Sequence, residues 1–250
     1  MWRLQQDQQA LGQDESFRMF YLWQSVRDWK TWLFMVVYMG AAGALYAFSL
    51  FLPSIIKELG YSSTKANLMS VPPYVLAAAM TVAVGYYADR TGRRGQFNIA
   101  VPCLSVAGFS MLLASDRPGV KYAGTFLGAL GIYPCIANTI SWASNNFEGV
   151  YKRGVSLGFV IGWGNLNGIV SSNIYRDRAG SRPPNYKSGH AVVLLYIVVF
   201  LMLGSAVTHV GLRRENAARR AGRRDHLALD KTEQQLRDMG DRRPDFVYTE

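Results

Sequence analysis

The chain has 250 residues, with 27 Lys and Arg against 17 Asp and Glu, a formal charge of +10 and a mean hydropathy close to zero. Those averages fit a basic soluble domain, yet they blend an apolar middle with two polar ends. The basic clusters lie beside apolar runs and lack interleaved aromatics, which argues against nucleic acid as a partner. The two cysteines, Cys103 and Cys135, both fall within apolar runs, so neither a disulfide framework, a metal site nor any cofactor is expected.

Residues 1–30 are rich in Gln, Asp and Arg and have no apolar stretch of the kind found in a cleavable signal. Phe17, Phe20, Tyr21, Trp23, Gln24 and Val26 recur there at helical spacing, which predicts a short amphipathic helix along the inner interface. Six apolar runs of roughly 20 residues follow. They read Thr31–Ile56, Ser70–Ala88, Phe97–Ala114, Tyr122–Ala143, Gly154–Tyr175 and Ala191–Leu212, and none holds an Asp, Glu, Lys or Arg. Only helices and closed barrels satisfy their backbone in lipid, and runs of this length are helical. The expected fold is an all-α membrane protein with about six transmembrane helices: a cytosolic segment (1–30), a six-span domain (31–212) and a basic cytosolic tail (213–250).

With both termini cytosolic, inside segments hold 19 of the 27 Lys and Arg and outside loops hold 8, as the positive-inside rule requires. Arg176, Arg178, Arg182 and Lys187, between spans five and six, oppose the bias without reversing it. Pro72, Pro73, Pro102 and Pro134 are expected to start or kink spans, which membrane helices tolerate.

The loop after span two reads Gly85-Tyr-Tyr-Ala-Asp89-Arg90-Thr-Gly92-Arg93-Arg94, an acid at a helix end followed by a tight basic turn. It resembles the cytoplasmic loop motif of the major facilitator superfamily. The similarity extends through Asp28-Trp29-Lys30 and Asn145-Asn146-Phe-Glu148-Gly149-Val-Tyr-Lys152-Arg153. It continues through Gly164-Asn165-Leu-Asn167-Gly168, Asn173-Ile-Tyr175, Pro184-Asn-Tyr186-Lys-Ser-Gly189-His190, Arg213-Arg214-Glu-Asn216 and Pro244-Asp-Phe246-Val-Tyr248. Together these strings are similar to the fungal allantoate/nicotinate permeases, anion:cation symporters of that superfamily, and cover only the C-terminal half of such a twelve-span protein.

The resemblance implies transport of a small organic anion by alternating access, with Gly85, Asp89, Arg90, Gly92, Arg93 and Arg94 as a cytosolic gating loop. It implies the lipid bilayer, the anion, and a missing N-terminal half or a second copy as partners, and the plasma membrane as the location. Alternatives are a truncated, transport-inactive membrane protein or fragment, or a regulatory relative without transport.

Polarity at helical spacing nominates the cavity wall: Tyr38, Tyr46 and Ser49 on the first span, and Asn138 and Trp142 (with Asn145) on the fourth. On the fifth, Asn165 (with Gly158 and Gly162) and Asn167 (with Trp163) point to different sides. Intramembrane amides either face water or join helices, and both readings stay open. No carboxylate lies within a span to carry a coupling proton; His190 and His209 lie near span ends. Gly154-Val-Ser156-Leu-Gly158 fits G-x-S-x-G, the one hint of an intramembrane serine protease. Ser156 lies only a turn inside its span and nothing supplies a sheltered base or an oxyanion pocket, so the chain is not expected to be an enzyme.

Overall fold

The structure is a computed structural model that describes residues 18–250 apart from 58, 175–186, 230, 233–234 and 237–238. Its described residues form helices and turns, with no strand among them. A short α1 (Met19–Val26) precedes α2 (Trp29–Lys57), which carries the first apolar run. The second run lies in α4 (Val71–Thr91), which the short α3 (Ser63–Met69) precedes. Ser62 caps α3 by accepting from the Lys65 amide at 3.4 Å, and Pro72 falls in the first turn of α4, where its missing N–H leaves no bond unmade. The third run is split at Pro102, into α5 (Arg94–Ala100) and α6 (Pro102–Ala114). Next, α7 (Pro118–Asn145) continues through Pro134, and α8 (Val150–Ile174) carries the fifth run. The last run is continuous from α9 (Lys187–Leu195) through a π-helical stretch (Tyr196–Leu203) into α10 (Gly204–Arg220).

Among the described residues, five helical segments are long and apolar enough to cross a bilayer: Trp29–Lys57, Ser63–Thr91, Arg94–Ala114, Pro118–Asn145 and Lys187–Arg220. At 25 residues α8 is long enough too, but Asn165, Asn167, Asn173 and several glycines dilute its hydropathy. It therefore depends on protein neighbours, and it packs along α2. Most helices outrun their apolar runs; α10 continues eight residues beyond Leu212. Hydropathy marks the lipid-facing length, whereas backbone hydrogen bonds carry the helix onward.

Helix contact relies on small residues that let backbones approach, as expected where lipid competes with side-chain packing. A Cβ at Gly40 of α2 would lie 2.8 Å from the Phe200 carbonyl carbon, and the Tyr196 ring lies over Gly43, so α2 and the π-helical stretch touch almost backbone to backbone. Likewise Gly108 of α6 meets the Gly124 carbonyl of α7. Phe48, Leu52, Phe109, Leu112, Ile132, Val193 and Ile197 fill the space between.

In α1, Tyr21 is buried and stacks on Tyr151 at 5.9 Å, while Met19, Phe20 and Trp23 are exposed. The helix expected of this segment is present, but the residues read together divide between a face buried on the bundle (Tyr21, Gln24) and an exposed one (Phe20, Trp23). Phe17 lies outside the described residues, as do Tyr175, Arg176, Arg178, Arg182, Pro184 and Tyr186. The start of α2, the α4–α5 turn, the α7–α8 turn, the end of α10 and the tail all meet at one end of the bundle, hereafter the charged end.

Candidate functional site

Two polar regions separate by depth. Partway along the bundle, the Tyr46 hydroxyl of α2 donates to Asn165 Oδ1 of α8 at 2.6 Å. One turn further on, the Ser49 and Tyr133 hydroxyls are 2.7 Å apart. Asn165 is exposed on the same open face of α8 as Gly158 and Gly162, where added Cβ atoms would meet nothing. Its amide hydrogens have no partner among the described residues. Asn167 turns the other way. It is buried, accepts from the Tyr196 hydroxyl at 3.2 Å and ties α8 to the last span. Tyr38 is buried too, its ring laid on Gly164.

Asn138 and Trp142 lie nearer the charged end, inside the bundle's own packing. The Asn138 amide donates to Arg94 O and Asn98 Oδ1, both at 2.8 Å, and accepts from Arg94 Nη1 at 3.2 Å. Trp142 is fully buried, edge-on to Phe34 at 5.0 Å, and its Nε1 donates to Thr249 O at 2.8 Å. Asn145 is exposed.

In the loop motif, Gly92 ends α4 with φ 67°, a left-handed turn that suits glycine and brings Arg94 back towards Asp89. Arg94 is buried and ion-paired with the exposed Asp89, linking the end of α4 through Asn138 to α7. Arg90 reaches the Tyr86 hydroxyl at 3.1 Å, and Arg93 is exposed.

The charged end holds a closed cluster of two lysines and two aspartates, each at most 3% exposed. Lys152 donates to Asp28 Oδ2 at 2.8 Å and to Asp241 Oδ1 at 2.6 Å. Lys30 pairs with Asp241, lies 3.4 Å from Asp28 Oδ2, and donates to Asn146 O at 3.1 Å and the Tyr248 hydroxyl at 3.2 Å. Formal charges cancel and the ammonium groups find several acceptors, the condition under which buried charge is tolerable. Burial opposes ionisation of Asp241, but the two lysines overcome it and hold the carboxyl below the usual carboxylate range.

Around this cluster the tail is bound backbone to side chain. Asn216 accepts from the Tyr248 N–H and donates to its carbonyl, both at 2.9 Å. Asn146 does the same at Thr249, at 3.0 and 3.1 Å. Arg219 donates to the carbonyls of Asp241, Arg243 and Phe246 and to the Tyr248 hydroxyl. Glu148 Oε1 accepts from Arg243 at 2.9 Å, while its buried Oε2 has no partner among the described residues. Burial raises this carboxyl to about 7, Arg243 offsetting only part of the effect. Burial also raises the Tyr248 phenol, with Asp241 adding to it.

Sequence reasoning assigned no role to Asp28, Lys30, Lys152, Asp241 or Arg219. The available signal was the run of motif strings: Asp28-Trp29-Lys30, Asn146 to Lys152, Asn216 and Phe246-Val-Tyr248 all converge here. Ser156 is fully buried at this end, and its hydroxyl donates to Ser25 Oγ at 3.0 Å. His190 is buried near Phe109, 5.9 Å between rings, and His209 lies against Gly95.

A bundle of apolar helices, with neutral polar pairs partway along and ion pairs towards its ends, is that of a multi-pass integral membrane protein. The Major Facilitator Superfamily model matches residues 6–172. An uncharacterized transporter of Schizosaccharomyces pombe is 34% identical over 247 residues, 98% of this chain and 49% of the relative. The high-affinity nicotinic acid transporter of Saccharomyces cerevisiae is 31% identical over 208 residues, 83% of this chain and 38% of its own length. A transporter of Penicillium expansum is 30% identical over 84% of the chain and 41% of its own length. The chain belongs to the major facilitator superfamily, and spans half or less of the length of these relatives. No solved structure matches it.

Proposed function

We propose that this chain forms one wall of a pathway for a small organic anion, a carboxylate of the nicotinate or allantoate kind, moved by alternating access. A second six-span bundle, from the rest of a longer protein or from another copy, completes the cavity, because superfamily substrates bind between two bundles at mid-depth. The charged end is cytosolic, the membrane is the plasma membrane, and the cycle is symport rather than catalysis. The observation that carries the reading is the Tyr46–Asn165 pair on the open face of α8. The bond fixes the amide and leaves its N–H groups without a partner among the described residues, donors suited to a carboxylate. The nicotinic acid transporter among the relatives supports the substrate class.

The test is a chimera in which this chain replaces the region it matches in the S. cerevisiae nicotinic acid transporter, assayed for labelled nicotinate uptake in cells lacking their own. Uptake that is lost in Asn165→Ala, with membrane delivery intact, is the expected result. A chimera that takes up nicotinate equally well with Asn165→Ala contradicts the assignment of that residue.

A further inference from the structure

The basic groups at the charged end are not all consumed by the tail. Between the start of α5, the outer side of α10 and residues 248–250 lies an open cleft of about 690 Å³. Arg93, Arg213 and Arg220 line it together with Gln96, His209 and Glu250. Neighbouring Arg219 and Arg224 share Glu215, whereas the three cleft arginines are exposed and form no ion pair among the described residues. The buried Nδ1 of His209 also has no partner there. Glu250 opposes this charge, its side-chain carboxylate tethered by Asn216 at 2.9 Å and its main-chain oxygen accepting from the Gly95 N–H at 3.3 Å.

Depth identifies the occupant. Arg93 and Arg213 flank the polar ends of two candidate spans that pack together here, the level at which lipid headgroups lie. Leu203, Val207 and Val210 form an exposed apolar stripe on the last span that leads up to the arginines. The ten residues from Leu203 to Arg213 cover about 15 Å, roughly one leaflet of hydrocarbon. We infer that this cleft is a binding site for the phosphate headgroup of an anionic membrane phospholipid, whose acyl chains lie along the Leu203–Val210 stripe. Arginine forks suit phosphate oxygens, and the tail supplies the cleft's third wall.

Native mass spectrometry of the full chain in mild detergent, titrated with phosphatidic acid and with phosphatidylcholine, tests this. Phosphatidic acid should be retained in preference. Arg213→Gln/Arg220→Gln should weaken it about 25-fold, at about five-fold for each arginine, and Glu250→Gln should strengthen it several-fold. Arg213→Lys/Arg220→Lys, which keeps the charge but loses the fork, should bind between wild type and the glutamine pair; if either double variant misfolds, Arg93→Gln against Arg93→Lys makes the same comparison. Equal retention of both lipids, or an unchanged affinity in the glutamine variants, overturns the site. Inorganic phosphate binding as tightly as phosphatidic acid would overturn the lipid as its occupant.

Discussion

The charged end and the open face of α8 handle polarity in opposite ways. At the charged end the lysine–aspartate cluster buries four ionised side chains, and they persist because α1–α2, the α7–α8 turn and the tail each bring partners. On the open face the pairing is neutral, the Tyr46 hydroxyl on the Asn165 amide, with Ser49–Tyr133 a turn further along α2. The lesson is one of cost. An ion in hydrocarbon is expensive, so the buried lysine–aspartate cluster sits at the end where loops and tail can neutralise it, while the Asp116 pairs with Lys121 and Lys187 at the opposite end hold an exposed carboxylate. Neutral donors remain at the depth where a ligand would pass. The first region is closed by its own partners, whereas the second leaves the Asn165 amide hydrogens without one among the described residues.

The largest expected effect comes from uncompensating the lysine–aspartate cluster. Asp241→Asn leaves Lys30 and Lys152 with Asp28 as their only carboxylate, and should cost about 3–5 kcal/mol in denaturant unfolding in mild detergent. A loss below about 1 kcal/mol would show that water reaches the cluster. Next comes the bundle's packing, which both regions share. Gly40→Ala drives a methyl into the Phe200–Leu201 backbone and should cost about 1–3 kcal/mol. An unchanged stability would mean that α2 and the last span are not in close contact.

The charged end also predicts a pH dependence that the open face lacks. Glu148 is raised by burial to about 7, so the folded chain holds this proton more tightly than the unfolded chain does. Its stabilising contribution is complete below the ordinary carboxylate value near 4.5 and is lost as pH rises through about 7. Unfolding free energy should fall by about 3 kcal/mol across that window, and Glu148→Gln should flatten the profile. Asp241 has the opposite sign: held low by its lysines, it stabilises above the ordinary value and loses that effect in strong acid. A Glu148→Gln profile parallel to wild type would place the titrating group elsewhere. The smallest effect belongs to the open face. Tyr46→Phe should cost about 0.6 kcal/mol of stability, while lowering nicotinate uptake in the chimera far more than that figure implies.

The helices were legible because charge-free runs near 20 residues admit no other fold in lipid. Helical spacing also placed Asn165 beside Gly158 and Gly162 and Asn167 on another side, though it could not say which side was open. It could not separate Asn138 and Trp142 from Tyr46, because polarity on a face does not report depth or the neighbour's identity. The lysine–aspartate cluster left no periodic trace at all. Positions 28, 30, 152 and 241 belong to segments that read as ordinary solvated flanks, and only tertiary folding of the tail removes them from water.

The most direct test of the open-face assignment is cysteine accessibility in a chain carrying Cys103→Ser and Cys135→Ser. Single cysteines replace Tyr46, Asn165, Asn138 and Trp142, each challenged with a membrane-impermeant maleimide. Labelling at 46 and 165, slowed by nicotinate, with 138 and 142 unreactive, is the predicted result. Unreactive cysteines at 46 and 165, or labelling that ignores nicotinate, would contradict the account.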